Sequence, residues 1–316
     1  LWNKGAHQFD EMSNISINTR QILKDNFVIN HIEVDSLQKS KDGTIKNAIK
    51  LFDDLIVESV LIPTPNRTTA CVSTQVGCSL DCKFCATAKL KKMRNLLPDE
   101  IYDQVKAIDQ ESRLYHSRPL SNIVFMGMGE PLMNYNNVLK SIDKITSEEG
   151  LGMSPKRITV STSGIPKMIK KLADDKVKFN LAVSLHSAIQ EKREQIMPFA
   201  TKFTLIDLKE SLQYWYEKTN QRITYEYVIW EGINDTREDI DALIRYCKQV
   251  PCKVNLIEYN AIDDDSFKQA SKSVTDAYIH TLEKNRIPVT VRRSRGKDID
   301  AACGQLANKN KKEQLI

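Results

Sequence analysis

The sequence predicts an α/β protein built on a parallel sheet, either doubly wound or closed into a full or partial barrel. After Pro65, short β-rich runs alternate with helical segments six or so times, the pattern of right-handed crossovers between parallel strands. The polar clusters of the chain fall at the ends of those runs, and sheets of this kind gather their chemistry at the carboxyl ends of the strands.

From Leu1 to about Lys41 the pattern reads as helical and polar, and the abrupt opening "LWNKGAHQFDEMSNIS" is expected to mark a chain without its natural start. "DGTIKNAIKLFDDLIVESVLIP" reads as short strands joined at the turn signal Asp42-Gly43. Residues 1–65 are therefore expected to form a small N-terminal accessory region, 66–300 the core, and 301–316 a C-terminal segment with a basic tail. The core runs are "TACVS", "NIVFM", "RITVS", "FNLAVS", "ITYEYVI", "KVNLI" and "VTVR". Among the helical segments, Pro98 to Gln110 has proline at a first-turn position. Asp99 and Glu100 there favour the helix dipole, and Ile101, Val105 and Ile108 share one face. Leu205 to Asn220 and Thr236 to Gln249 read likewise.

With 41% hydrophobic and 28% charged residues the chain is globular in composition, and no apolar run approaches the roughly 18 residues that span a bilayer. No signal peptide is evident, and a membrane is not expected as a partner. Seven cysteines without secretory features point to a reducing compartment, the cytoplasm, where clustered thiols mean metal or catalysis. The net charge of +5 says little, but its distribution says more. Arg286, Arg292, Arg293, Arg295 and Lys297 form a stretch without an acid, and Lys89, Lys91, Lys92 and Arg94 form another. Such runs either neutralise phosphates or are solvated faces.

Three cysteines fall within "GCSLDCKFC": Cys78, Cys82 and Cys85. Structural zinc takes four ligands, commonly two CxxC pairs, and His186 could complete a set here. A single loop offering three thiolates suits an iron–sulfur cube held at three corners with one iron left open. Unligated thiols are the third reading. The other polar clusters are "GMGEP" (Gly127 to Pro131), Ser161 with "TSG", the run Ser184, Leu185 and His186, and Asn260. Read alone, Cys71 and His186 are as well explained as core residues, Cys247 and Cys252 are core, and Glu58 is an exposed strand carboxylate.

CxxxCxxC with Phe84 before its last cysteine resembles the signature of radical S-adenosylmethionine (SAM) enzymes. The strings "CVSTQVGCSLDCKFCATA", "FMGMGEPLMNY", "AVSLHSA" and "SRGKDIDAACGQL" together are similar to the radical SAM methyltransferases that act at carbon 2 of adenine in ribosomal and transfer RNA. The resemblance runs from about Leu1 to Leu306. It implies a partial parallel (βα) barrel with an N-terminal RNA-facing domain, and a 4Fe-4S cluster on Cys78, Cys82 and Cys85. Gly129, Glu130, Ser161, Ser184, Leu185, His186 and Asn260 would hold SAM, two of which are used per turnover. Cys303 would carry the methyl group, Cys71 would form a disulfide with it, and Glu58 would accept a proton. The implied substrates are 23S rRNA and tRNA, with flavodoxin or ferredoxin as electron donor and a monomeric enzyme. A sister group that methylates carbon 8 shares these cysteines, and a noncatalytic zinc-containing RNA-binding protein is the reading from another class.

The chemistry makes these residue types intelligible. Carbon 2 of adenine lies between two ring nitrogens and is electron-poor, so it does not attack a sulfonium methyl as an amine would. A radical route with the methyl already on a protein sulfur avoids that obstacle, and a second thiol can then free the RNA by forming a disulfide with the first.

Overall fold

The computed structural model describes residues 8–263 and 266–308. The strands, in chain order, are β1 (Glu33–Lys39), β2 (Ile45–Lys50), β3 (Ile56–Thr64), β4 (Arg67–Cys71), β5 (Gln75–Val76), β6 (Arg94–Asn95), β7 (Asn122–Phe125), β8 (Ile158–Thr162), β9 (Asn180–Ser184), β10 (Ile223–Val228), β11 (Cys252–Ile257) and β12 (Val289–Arg292). The helices are α1 (Ile17–Asn26), α2 (Pro98–His116), α3 (Tyr135–Thr146), α4 (Pro166–Asp174), α5 (Gln190–Ile196), α6 (Leu205–Thr219), α7 (Arg237–Cys247) and α8 (Lys272–Lys284). Ten strands form one sheet in the order β1-β2-β3-β4-β7-β8-β9-β10-β11-β12, and β5 and β6 pair separately. From β4 to β12 every pairing is parallel. The first strands join the same sheet as an antiparallel extension, with β3 paired to β4.

Parallel strands covered by helices are buried on both faces, and all six residues of β10 are buried. Local signals set the helices. Glu100 reaches back to the Leu97 N–H at 2.8 Å at the start of α2, while Ile101, Val105 and Ile108 face the core. Thr204 with Asp207 and Thr236 with Asp239 form reciprocal caps at α6 and α7. Cys247 and Cys252 are core residues, as their setting in the sequence suggests.

The sheet curls. Arg292 Nη1, at the end of β12, lies 3.4 Å from the sulfur of Met126, just past β7. Five strand spacings of about 4.8 Å separate β7 from β12, roughly 24 Å in a flat sheet and further than these two side chains together can span. The two edges of the curled sheet are not paired to each other, so the barrel is partial. Among the described residues of Leu1 to Lys41, the helical reading holds for α1 and a single 3-10 turn at Phe9–Glu11, while residues 1–7 lie outside them. Glu33–Lys39 is instead an exposed edge strand, its polar composition set by solvent, with Glu33 opposite Lys50 in register. The α2 helix also runs beyond Gln110, to His116.

Candidate active site

The cysteine loop leaves β5 through Gly77, whose φ is +72° and whose Cβ, if present, would lie 2.5 Å from the Lys91 carbonyl. Only glycine allows that close passage. Cys78, Cys82 and Cys85 are all free and partly exposed. Burial pushes the Cys78 thiol up to about 11, and Cys85 beside it adds to the shift. Burial raises Cys82 further, with Cys85 and Cys78 contributing. The neighbouring sulfurs thus oppose the ionisation of Cys78 and Cys82, a conflict that a shared cationic centre removes. Among the described residues no three His, Cys, Asp or Glu side chains are grouped so that one metal ion could be held. A multi-iron cluster asks for a wider set, because each thiolate binds its own iron. Phe84 packs edge-on to His186 at 4.8 Å and against Trp230 at 5.1 Å, fixing the far side of the loop.

Around this loop stand the polar groups of the strand ends. Gly129 has φ +94° and passes Gln75 so closely that a Cβ would lie 2.5 Å from that side chain. Glu130 is 2% exposed, and its two oxygens accept the Leu132 and Ser163 N–H groups at 3.0 and 2.7 Å. Burial nevertheless raises its carboxyl above the usual range. Ser161 lies within β8 rather than beyond it, and Ser184 ends β9; both are partly exposed. Leu185 is fully buried in the core, its N–H donates to the Glu226 carbonyl at 3.0 Å and its carbonyl accepts the Ser187 N–H at 2.7 Å, so what remains for a ligand is that carbonyl's second lone pair. His186 adopts φ +58° and accepts the Val228 N–H at Nδ1, 3.2 Å away. Burial lowers it to about 3. It is therefore neutral, with its proton on Nε2. Asn260 donates to the Glu258 and Cys303 carbonyls at 3.3 and 3.2 Å, while its buried Oδ1 has no donor.

Arg193 on α5 escaped the sequence reading. Its side chain is fully buried, and it donates through Nη2 to the Ser163 and Ser184 carbonyls at 2.7 and 3.3 Å. Nε and Nη1 have no hydrogen-bond partner, and no carboxylate pairs with it among the described residues. An uncompensated buried cation is costly. The orphaned donors of Arg193 on α5 and the orphaned acceptor of Asn260 in the loop after β11 fit a cofactor that presents a carboxylate and hydrogen-bonding groups beside a cluster. The available sequence signal was an arginine at an apolar helical position, four residues after Ile189 and three before Ile196.

The remaining predicted residues meet at the same mouth. Cys71 ends β4 and is buried, which pushes its thiol up to about 12. Cys303 is reached by solvent, yet protein walls surround it, and their burial effect raises its thiol while Arg292 opposes the rise. Its segment is tied to the cysteine loop: Ala86 N–H donates to the Gly304 carbonyl at 2.7 Å, and Thr87 Oγ1 to the Leu306 carbonyl at 2.7 Å. Glu58 is not an exposed strand carboxylate. It is 1% exposed, faces Lys46 Nζ at 3.4 Å through Oε1, and accepts the Ala307 and Asn308 N–H groups at 2.8 and 3.2 Å through Oε2.

The basic runs divide differently from the sequence reading. Arg94 is held by Asp53 at 2.6 Å and Glu100 at 2.8 Å, and Arg292 faces Glu226 at 3.3 Å inside the barrel mouth, so neither is a free phosphate-binding group.

The sequence matches the family model of the radical SAM superfamily over residues 72–247. It is 74% identical over 310 residues to a protein of Christiangramia forsetii named as a probable dual-specificity RNA methyltransferase RlmN, covering 98% of this chain and 88% of the relative. A Clostridium beijerinckii protein of the same name is 41% identical, with 96% and 85% covered. The fold matches the crystal structure of a radical SAM methyltransferase from Sphaerobacter thermophilus with TM-score 0.91 and 36% identity, covering 96% of this chain and 89% of that one. With the cysteine loop, the strand-end cradle and the two remote thiols, this likeness along nearly the whole sequence establishes that the chain belongs to the radical SAM superfamily and, within it, to the RlmN family.

Proposed function

We propose that this chain methylates carbon 2 of an adenine in 23S rRNA and in tRNA, with the methyl group carried on Cys303. The observation that supports this reading best is the placement of Cys303. It is a solvent-reached thiol on a segment hydrogen-bonded to the cysteine loop, and a second thiol, Cys71, is buried at the end of β4. Cys78, Cys82 and Cys85 would hold a 4Fe-4S cluster. Gly129, Glu130, Ser161, Ser184, the Leu185 backbone, His186 and Asn260 would hold SAM, with Arg193 available to its carboxylate. When bound, cluster and SAM supply the methyl group, an electron and the hydrogen-abstracting chemistry.

The chain's own residues do the rest. His186, fixed as the neutral Nε2–H tautomer, offers a donor without adding charge. Cys303 presents the methyl group to the base and holds the RNA covalently after transfer. Glu58 would accept a proton at Oε1, the oxygen that faces Lys46 and has no hydrogen-bond partner. Cys71 attacks the Cys303 sulfur to release the product. A flavodoxin or ferredoxin as donor, a monomeric state and a cytoplasmic location complete the reading. No helix among the described residues is long and apolar enough to cross a membrane.

The test follows the methyl hydrogens. With the SAM methyl fully deuterated, methylated RNA should retain two of three deuteriums and the third should appear in 5′-deoxyadenosine. Retention of all three without 5′-deoxyadenosine would overturn the proposal. Nuclease digestion of the same RNA locates the methyl, and its presence at carbon 8 would move the chain to the sister activity. Cys71→Ala should accumulate protein cross-linked to RNA, and Cys303→Ala should form none.

A further inference from the structure

The proposed reaction starts from a reduced cluster, so an electron has to reach the cysteine loop from outside the chain. The loop has two flanks. Phe84, Ala86 and Thr87 carry its contacts to the Cys303 segment, at Gly304 and the Leu306 carbonyl. Gly77, Cys78 and Ser79 carry its contacts to another surface. Gly77 passes over the Lys91 carbonyl, Cys78 forms an isolated parallel bridge with Lys91, and Ser79 Oγ lies 3.3 Å from the sulfur of Met133. Met93 adjoins them, its N–H donating to the Val76 carbonyl at 2.9 Å where β5 meets β6. Two methionines are exposed here, Met93 at 59% and Met133 at 43%. Four lysines and one acid, Asp81, lie between Gly77 and Met93. Asp81 accepts the Phe199 N–H at 3.2 Å, while Lys83 and Lys91 are exposed and make no ion pair among the described residues. Flexible exposed thioethers with cations beside them suit a brief, charge-steered encounter.

We propose that this flank of the loop, centred on Ser79, Lys91, Met93 and Met133, is the docking surface for an acidic one-electron carrier protein. The inference rests on the reading of Cys78, Cys82 and Cys85 as cluster ligands. Electron tunnelling falls off steeply with distance, and a carrier seated on Met133 abuts Ser79, the residue after Cys78. The lysines steer an acidic partner to that spot, and the methionines give it an apolar centre on which to settle. The transfer is balanced: the carrier loses one electron, the cluster gains it, and no bond or proton moves. RNA is an anion too, but its base has to reach Cys303, whose segment is bonded to the other flank. A carrier docked here leaves that approach open. Electron entry and substrate entry are separated by the loop itself, so the cluster can be reduced while RNA is bound.

The test uses flavodoxin as the carrier and anaerobic, cluster-loaded enzyme. Bleaching of the cluster by reduced flavodoxin is followed by stopped flow at low salt and at about 1 M salt, where the Debye length is about 3 Å. Lys91→Glu should slow bleaching about tenfold at low salt and hardly at all at high salt, and Lys91→Arg should match the parent. Met93→Gln should slow it at both. Dithionite, which needs no docking, should bleach all four proteins alike, and RNA affinity should be the same in all. Binding of labelled, oxidised flavodoxin, read by fluorescence anisotropy, should weaken in step with the flavodoxin rates. Parental binding and bleaching in Lys91→Glu would overturn the inference. So would a loss of RNA affinity in that variant, which would make this flank an RNA surface. The anisotropy titration needs neither cluster nor RNA, so the surface can fail while methylation stands. A parent chain that flavodoxin binds and reduces but that methylates no RNA would fail the proposed activity alone.

Discussion

The Ala86 N–H donates to the Gly304 carbonyl at 2.7 Å, joining the residue after Cys85 to the residue after Cys303. Gly304 stands there with φ +86° and leaves room for the Phe84 carbonyl, 3.3 Å from where a Cβ would be. Order in the cysteine loop is therefore tied to order in the Cys303 segment. Removing iron with a chelator should speed amide hydrogen exchange in residues 302–308 by tenfold or more, with α2 unchanged. Equal exchange in loaded and stripped protein would show that the two segments are independent.

RNA binding should follow exposure rather than charge count. Arg293 is exposed, whereas Arg94 is committed to Asp53 and Glu100. Arg293→Glu should lower affinity across RNA sequences and reduce the salt slope by about 1. Arg94→Gln should lower the thermal midpoint and leave that slope alone. Fluorescence anisotropy titrations at several salt concentrations separate the two.

His186 ties stability to pH. Its folded value is pushed down to about 3 by burial, below the ordinary histidine range. Between about pH 6.5 and 3 the unfolded chain therefore binds a proton that the folded chain does not. The histidine's contribution is fully present above pH 6.5 and is lost as pH falls towards 3, by at most about 5 kcal/mol. His186→Gln should flatten the dependence of the urea midpoint on pH in that window. An unchanged slope would count against a buried neutral imidazole.

Lys46 and Glu58 are both buried and depend on each other. Either Lys46→Met or Glu58→Gln should cost about 3–5 kcal/mol by leaving one charge unpaired, and the double variant should recover more than half of the loss. Methylation should be lost in Glu58→Gln and stay lost in the double variant, which separates the carboxylate's chemical role from its structural one. Urea unfolding and RNA methylation measured on the same four proteins decide it.

The parallel core was legible because its strands are short apolar runs between capped helices, and the cysteine loop was legible because three thiols in eight residues have few uses. β1 was misread, since an edge strand facing solvent carries no apolar alternation and takes its identity from its pairing with β2. Arg193 was missed because a guanidinium bonded to the Ser163 and Ser184 carbonyls depends on three distant segments meeting. Arg292 was placed in a surface run because its neighbours in sequence are basic, while its partners Glu226 and Met126 lie 66 and 166 positions away. Glu58 looked exposed because the segment covering it comes from 249 residues later.

The open sides of the curled sheet are brought together by side chains. Past β12 the chain crosses to the turn between β1 and β2, where Gly296 N–H donates to Asp42 Oδ2 at 3.0 Å and the Asp298 carboxylate receives Ser40 Oγ and the Lys41 N–H. A wall closed by a backbone ladder would have to be stripped bond by bond to admit a folded nucleic acid. This one is fastened at scattered points, here at the turn between β1 and β2 and again where Glu58 Oε2 on β3 receives the Ala307 and Asn308 N–H groups, so it works as a clasp. Opening such a clasp would exchange these contacts for water and leave the backbone ladders of the sheet intact.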